Sequence, residues 1–526
     1  SGKGMKKILK YESKRKINKQ RFQFFLHKGG AVHFFLILAT TIYIIANSIK
    51  QIIDTINKNE LTFIFATISL IAAIFALIAQ MIKFCLDWKK FFSPVANVYE
   101  YKNKINKEDV LKIFFAKDHK VLSEKALQSG YVIAKRENSS YVYSDEVNKL
   151  LFEEKYNLKV VVKNKIVTEE EQIVLASILQ KYVESKGNIY NDQLLGQVTD
   201  LFIDLPKEII LNKTCYFSNK ATNDIVYSKF CSKTKQTYEF NGYKFTLDAN
   251  NQLYDLRDSN AANIIGVSTI ILTNDNHLIL SIQNSNSDES AGLIVATGSG
   301  SATVKDYQKH QSFYEFLTTG MERELIEETS NSLRYKDLSL WFRLFNQKII
   351  RTYKNQEKQL QSRLKELFKP NSTKVYCYNR ILHRGGKPDF FGITKVNVSS
   401  TEIKPLIDDC NRHTKELLIN ELKLLLGKKK DKMDDVLNAY DAMLSKLNNG
   451  IIIDGKYSVI KEYIDFKKEA TKNYNLKFRP LEYENLGLFM ISLDKLKKMT
   501  LLNDNQIFSL QVEYMVRCLV KIIEKI

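Results

Sequence analysis

The stretch "ERELIEETS", Glu322–Ser330, decides how this chain is read. Five of its nine residues are charged and four of those are acidic, in a 526-residue chain whose formal net charge is +20. On a helix, Glu324 shares a side with Glu327 and Glu328 at i+3 and i+4. Three carboxylates crowded there repel one another unless a cation neutralises them. A hard, oxygen-seeking ion such as Mg²⁺ or Mn²⁺ suits that need. Such an ion clamps diphosphate oxygens and offsets charge that develops in a transition state. Leu325 is expected to pack inward while the acids face a cleft.

Working outward, "IIGVSTIILTNDNHLILSIQ" (264–283) reads as two β-rich runs around the turn "NDN". The stretch 292–330 then gives a short apolar strand, a glycine-bearing loop and a long acidic helix. Downstream, "KVYCYNRILHRGGKPDFFGITKV" (374–396) reads as two strands around a Gly-Gly turn. In that turn His383, Arg384 and Lys387 are candidates for touching phosphate. Residues 340–370 and 402–475 read as helical insertions, "LEYENLGLFMISLDKL" (481–496) as a closing strand, and 508–526 as an amphipathic helix.

This order of elements and the charged skeleton resemble the Nudix superfamily, whose signature is G-x5-E-x7-R-E-U-x-E-E-x-G-U. Glu315 is followed by seven residues and then by Arg323-Glu324-Leu325-Ile326-Glu327-Glu328. The glycines depart from the pattern: Lys309 and Ser330 stand at their positions, and Asn331 replaces the last apolar residue. Gly298 and Gly300 lie upstream and are expected to share the loop's work, including contact with nucleotide phosphate beside Arg384 and Lys387. The resemblance implies a Nudix fold over 238–526, an α+β arrangement with a mixed sheet sandwiched by helices. It implies that Glu324, Glu327 and Glu328 bind Mg²⁺ or Mn²⁺, with Glu327 and Glu328 catalytic. It gives Glu315 and Arg323 a supporting ion pair that orients those ligands.

The rest of the chain sets the setting. Apolar content of 44% with 26% charged residues fits a folded protein. The six cysteines are scattered singly, which argues against zinc ribbons and a disulfide scaffold. Residues 1–4, "SGKG", read as a cloning scar, and 1–30 as a basic cytoplasmic tail. That tail holds ten Lys or Arg against one Glu, so it supplies +9 of the +20. Two uncharged stretches follow, and they predict transmembrane helices over 31–49 and 61–85 joined by a short loop. The basic flanks place both termini and the large domain in the cytoplasm, on a bacterial inner membrane. Residues 95–235 carry no catalytic motif and read as a mixed α/β connector or oligomerisation domain.

A two-helix anchor, a connector and a Nudix-like module together resemble the transmembrane-Nudix effectors of bacterial CBASS antiphage systems. That resemblance implies recognition of a cyclic nucleotide and disruption of the inner membrane. The alternative is a membrane-tethered, Mg-dependent hydrolase of nucleoside diphosphate derivatives; a scaffolding protein with a fortuitous acidic helix ranks third. The expected partners are a nucleotide, a lipid bilayer and further copies of the chain. Direct nucleic-acid binding is not expected, because much of the excess positive charge lies in the tail.

Overall fold

Runs of β-branched and aliphatic residues build the centre of the molecule. The computed structural model describes residues 30–55, 99–104, 121–136, 139–168, 193–232, 239–284, 292–308, 311–332, 347–368, 372–426, 429–451, 457–472, 483–502 and 508–522, with scattered positions in 64–82, 170–174 and 453–454. Nine strands form one sheet: β1 (Val132–Arg136), β2 (Ser139–Tyr143), β3 (Gly266–Leu272), β4 (His277–Gln283), β5 (Ile294–Ala296), β6 (Gly298–Ser301), β7 (Thr373–Ile381), β8 (Lys387–Lys395) and β9 (Asn485–Ser492). The order runs β5-β4-β3-β8-β7-β2-β1, with β6 also paired to β3 and β9 to β4.

β3, "GVSTIIL", is buried along its whole length, as expected of a central strand covered on both faces. It runs parallel to β8, with Gly266 opposite Asp389 and Leu272 opposite Lys395, and antiparallel to β6. The hairpin read around "NDN" is present: β3 and β4 flank it, and Asn276 takes the left-handed conformation at φ 58°.

Helices cover both faces of this mixed sheet. Phe390 and Phe391 are neighbours on β8 and therefore point to opposite sides. Phe390 meets Phe313 of the helix α2 (Phe313–Thr329) at 5.4 Å between ring centroids, edge to face. Phe391 meets Tyr514 of the C-terminal helix α5 (Leu510–Ile522) at 5.5 Å. Two long helices from the sequence between β6 and β9 complete the part that matters here, α3 (Gln347–Leu367) and α4 (Ser400–Leu426).

The stretch 95–235 contributes strands to this architecture. β2 pairs with β7 through Tyr141–Ile381 and Val142–Arg380, which extends the sheet. A smaller sheet of Val160–Asn164, Gln193–Gln197 and Ile209–Cys215 is tied by isolated bridges to the segments that lead into the acidic helix and into β3. Those bridges join Lys159 to Ser312, Leu194 to Thr303 and Gly196 to Ile264. The segment that leads into α2 is thereby fixed at two points.

The chain divides into two compact units. One comprises 1–100, 176–189 and 339–344; the other comprises 101–175, 190–338 and 345–526 and contains the nine-stranded sheet. The first unit corrects the expectation of a membrane hairpin. Its helix α1 (Gly30–Thr55) is 26 residues long, but among the described residues no helix is long and apolar enough to cross a membrane. Thr40, Thr41, Asn47, Ser48, Lys50, Gln51 and Asp54 interrupt the apolar run of α1, and Thr41 and Ser48 are buried. Ten of the 25 residues of the second expected span, 61–85, lie outside the described residues. The described fold is mixed α/β, and no helix in it is long and apolar enough to cross a membrane, which overturns the expected transmembrane hairpin and the multi-pass inner-membrane placement built on it.

Candidate functional site

The acidic helix is specified at both ends. Ser312 caps α2: its hydroxyl accepts the Glu315 amide at 3.3 Å, while the Glu315 carboxylate accepts the Ser312 amide at 2.9 Å. This reciprocal box satisfies donors that the first turn leaves open. The Ser312 amide and hydroxyl also hold the Glu315 carboxyl below its ordinary range. Phe313, Phe316, Leu317, Gly320, Met321, Leu325 and Glu328 recur at helical spacing on the buried side. At the other end Asn331 takes φ 50°, doing at the next position what a glycine would do. Its amide donates to Thr414 Oγ1 at 2.9 Å and to the Asn485 carbonyl at 3.0 Å, and its oxygen accepts the Glu484 amide at 2.7 Å.

α2 lies directly on β6, and two glycines permit it. A Cβ on Gly298 would stand 2.5 Å from the Leu325 backbone, and one on Gly300 would collide with the Glu324 carboxylate. The space they leave is filled by the helix itself.

Arg323 organises the acidic residues. Its Nε donates to Asp306 Oδ1 at 2.6 Å, and Nη2 donates to Asp306 Oδ2 at 2.9 Å and to the Ser301 carbonyl at 3.0 Å. Nη1 donates to Glu324 Oε1 at 2.9 Å and Glu327 Oε2 at 3.2 Å. Every N–H of the guanidinium thus has an acceptor. Asp306 is 2% exposed and is itself fixed by the Thr303 amide at 2.7 Å and hydroxyl at 3.0 Å. Glu324, 13% exposed, is pushed up to about 7 by burial, with Arg323 pulling the other way and Glu327 adding to the rise. Glu327 is half exposed. Glu328 is buried and accepts the Ser299 amide at 3.0 Å.

The sequence-derived candidates therefore separate. Glu324 and Glu327 meet at Arg323, Glu328 turns to β6, and Glu315 caps the helix, while the carboxylate that grips Arg323 is Asp306. Lys309 lies outside the described residues. In the β7–β8 turn, Arg384 faces Asp224 across 3.6 Å, and Lys387 lies buried 3.0 Å from Asp389. Burial opposes ionisation of Asp224, but Arg384, then Lys220 and Lys387, hold its carboxyl below the ordinary range. Both cations proposed for phosphate are thus already opposed by carboxylates. A cavity of about 20 Å³ among Tyr131, Asp200, Tyr378 and Arg380 has room for about one water molecule and is too small for a nucleotide.

Reading the sequence missed Asp306, Ser299, Ser301 and the structural use of Asn331. Asp306 carried a signal: Thr303-x-x-Asp306 has the spacing of a capping box, and that box is formed. The same pattern in Ser312-x-x-Glu315 was masked by the signature's claim on Glu315.

The oxygen-only donor set has the chemistry of a Mg²⁺ or Mn²⁺ site. As placed, Glu324 and Glu327 are held by Arg323 and Glu328 by the Ser299 amide, and among the described residues no three His, Cys, Asp or Glu gather where they could hold a metal ion. No family model matches the chain, and no curated protein matches it.

Proposed function

We propose that the exposed face of α2 recognises a nucleotide, in the manner of a Nudix-type site, with Arg323, Glu324 and Glu327 at its centre. The observation that carries this reading is Glu324. Its carboxyl is largely buried beside Arg323 and raised to about 7, in space left by the missing side chain of Gly300. A carboxyl held so far from its ordinary range disfavours folding near neutrality, and perturbed groups of this kind concentrate at functional sites. The spacing of Glu315 and Arg323–Glu328 supports the same assignment.

A cyclic nucleotide signal is the first-choice ligand, drawn from the resemblance to antiphage effectors. The membrane-disrupting output expected from the sequence has no place in this reading. Mg²⁺ or Mn²⁺, delivered with the nucleotide, would screen its phosphates from the acidic face. Hydrolysis of a nucleoside diphosphate derivative is the second reading. It is favoured by the raised Glu324 carboxyl, which suits proton transfer near neutral pH.

The full chain, incubated with linear and cyclic nucleotides with Mg²⁺ or with chelator, separates the two. Saturable binding of a cyclic nucleotide without consumption supports recognition. Cleavage of a diphosphate-linked nucleotide that disappears in Glu327→Gln/Glu328→Gln, with no cyclic ligand held, supports hydrolysis. Neither binding nor cleavage across the panel sinks both.

A further inference from the structure

We propose that the small cavity between Asp200 and β7 binds one halide-sized anion on Arg380 Nη1 and the Tyr378 hydroxyl, and that the anion enters together with a proton on Asp200. Tyr378 and Arg380 stand two apart on β7 and so share a face of the sheet. Both line the cavity, and they are only 1% and 7% exposed. The Arg380 guanidinium is held by carbonyls alone: Nε donates to Gly386 at 3.0 Å and Nη2 to Tyr254 at 2.8 Å. Among the described residues, Nη1 and the Tyr378 hydroxyl have no acceptor, and no carboxylate hydrogen-bonds the guanidinium.

The other polar groups on the cavity wall are already engaged. The Tyr131 hydroxyl donates to the Leu201 carbonyl at 2.6 Å, and the Ser123 hydroxyl donates to Asp255 Oδ1 at 2.8 Å. Asp200 accepts the Leu256 amide at 2.7 Å and the Arg257 amide at 3.4 Å. What the wall lacks is an acceptor, wanted by one charged donor and one hydroxyl. The space of about 20 Å³ admits one heavy atom. Charge decides which kind. A buried arginine is costly unless an opposite charge lies near. Asp200 supplies that charge from the cavity wall while it is ionised. Burial pushes its carboxyl up to about 6, with Arg380 pulling it down and Asp255 adding to the rise. Arg257, 4.0 Å from Asp255, is half exposed and lies outside the cavity lining. Once Asp200 takes a proton, Arg380 loses its counter-charge, and a halide restores it.

This site shares no residue with the face of α2, so it stands or falls apart from the nucleotide reading. Thermal unfolding of the full chain would be followed in sodium chloride and in sodium gluconate at equal ionic strength. A ligand held by the native state raises the unfolding temperature. Chloride is expected to raise that of wild type at pH ~5.5, where Asp200 is largely protonated, and to have little effect at pH ~8. Asp200→Asn, neutral at both values, is expected to respond at both. Tyr378→Phe keeps the ring and loses one hydrogen bond to the anion, so it is expected to need about tenfold more chloride for the same response. An undiminished response in Tyr378→Phe would place the chloride elsewhere and overturn the proposal. Should a variant fail to fold, wild type alone decides: no response at pH ~5.5, or the same response at both values, overturns the proposal and leaves the cavity to water.

Discussion

Asn331 shows how much one side chain carries at the end of the acidic helix. Its φ of 50° is a conformation that asparagine tolerates and most residues avoid. Its amide also joins α2 to α4 through Thr414 and to β9 through Asn485. Asn331→Ala is expected to destabilise the protein by about 3 kcal/mol, combining backbone strain with buried groups left unpaired. Asn331→Gly removes only the second part and is expected to cost less; equal losses in denaturant titration would contradict this division. Glu324 makes a different prediction. Its folded value, raised to about 7, lies above that of an unfolded glutamate. The native state therefore binds the extra proton, and stability is full below the unfolded value and lost as pH rises through about 7. Glu324→Gln is expected to be more stable than wild type at pH 8 by on the order of 1–3 kcal/mol, with the difference vanishing below pH ~4. A variant less stable than wild type at both values would place the carboxylate's worth in its bonds to Arg323.

Between elements, the contact of α2 with β6 sets how precisely the acids are held. Gly298 faces the helix backbone, which cannot yield, whereas Gly300 faces the end of the flexible Glu324 side chain. Gly298→Ala is expected to cost about 1–3 kcal/mol through displacement of the helix. Gly300→Ala is expected to cost less and to move Glu324 away from Arg323. Thermal unfolding of the pair checks the order, and a larger loss at Gly300 would show that the helix backbone accommodates more readily than the carboxylate. The packing of α3 on α4 holds a second titratable group. His413 is buried, its ring meets Tyr353 edge to face at 5.9 Å, and neither ring nitrogen has a hydrogen-bond partner among the described residues. Burial depresses its basicity, with Glu416 opposing. Stability is therefore full above the unfolded value of about 6.5 and declines as pH falls below it, by about 1.4 kcal/mol for each unit of depression. His413→Phe is expected to remove that decline, and an unchanged slope between pH ~7 and ~5 would show that another group causes it.

Across the whole molecule, the sequence was most legible where a pattern answers to backbone geometry. The "NDN" hairpin, the Gly385–Gly386 turn and the buried face of α2 all follow from local periodicity and turn chemistry. The site was legible in part, because spacing on one helix brings Glu324 and Glu327 to a common side, while the neighbour that claims them comes from a separate turn. Nothing in "ERELIEETS" foretells Asp306, seventeen residues before Arg323, or the amide of Ser299 across the β6 contact. The membrane reading failed for a related reason. The stretch 29–49 carries no formal charge and so predicts a span, yet Thr40, Thr41, Asn47 and Ser48 lie inside it, and Thr41 and Ser48 are buried. Charge alone is a poor measure of what a helix can offer to lipid.

The central claim is that the face of α2 around Arg323 and Glu324 takes a nucleotide. Equilibrium dialysis of the full chain with labelled cyclic and linear nucleotides in Mg²⁺, comparing wild type with Glu324→Gln/Glu327→Gln, tests it most directly. The account predicts saturable binding of at least one nucleotide by wild type and a loss of about tenfold or more in the variant, with folding preserved. Equal binding by the two proteins would place the nucleotide elsewhere, and no binding by wild type would contradict the account outright.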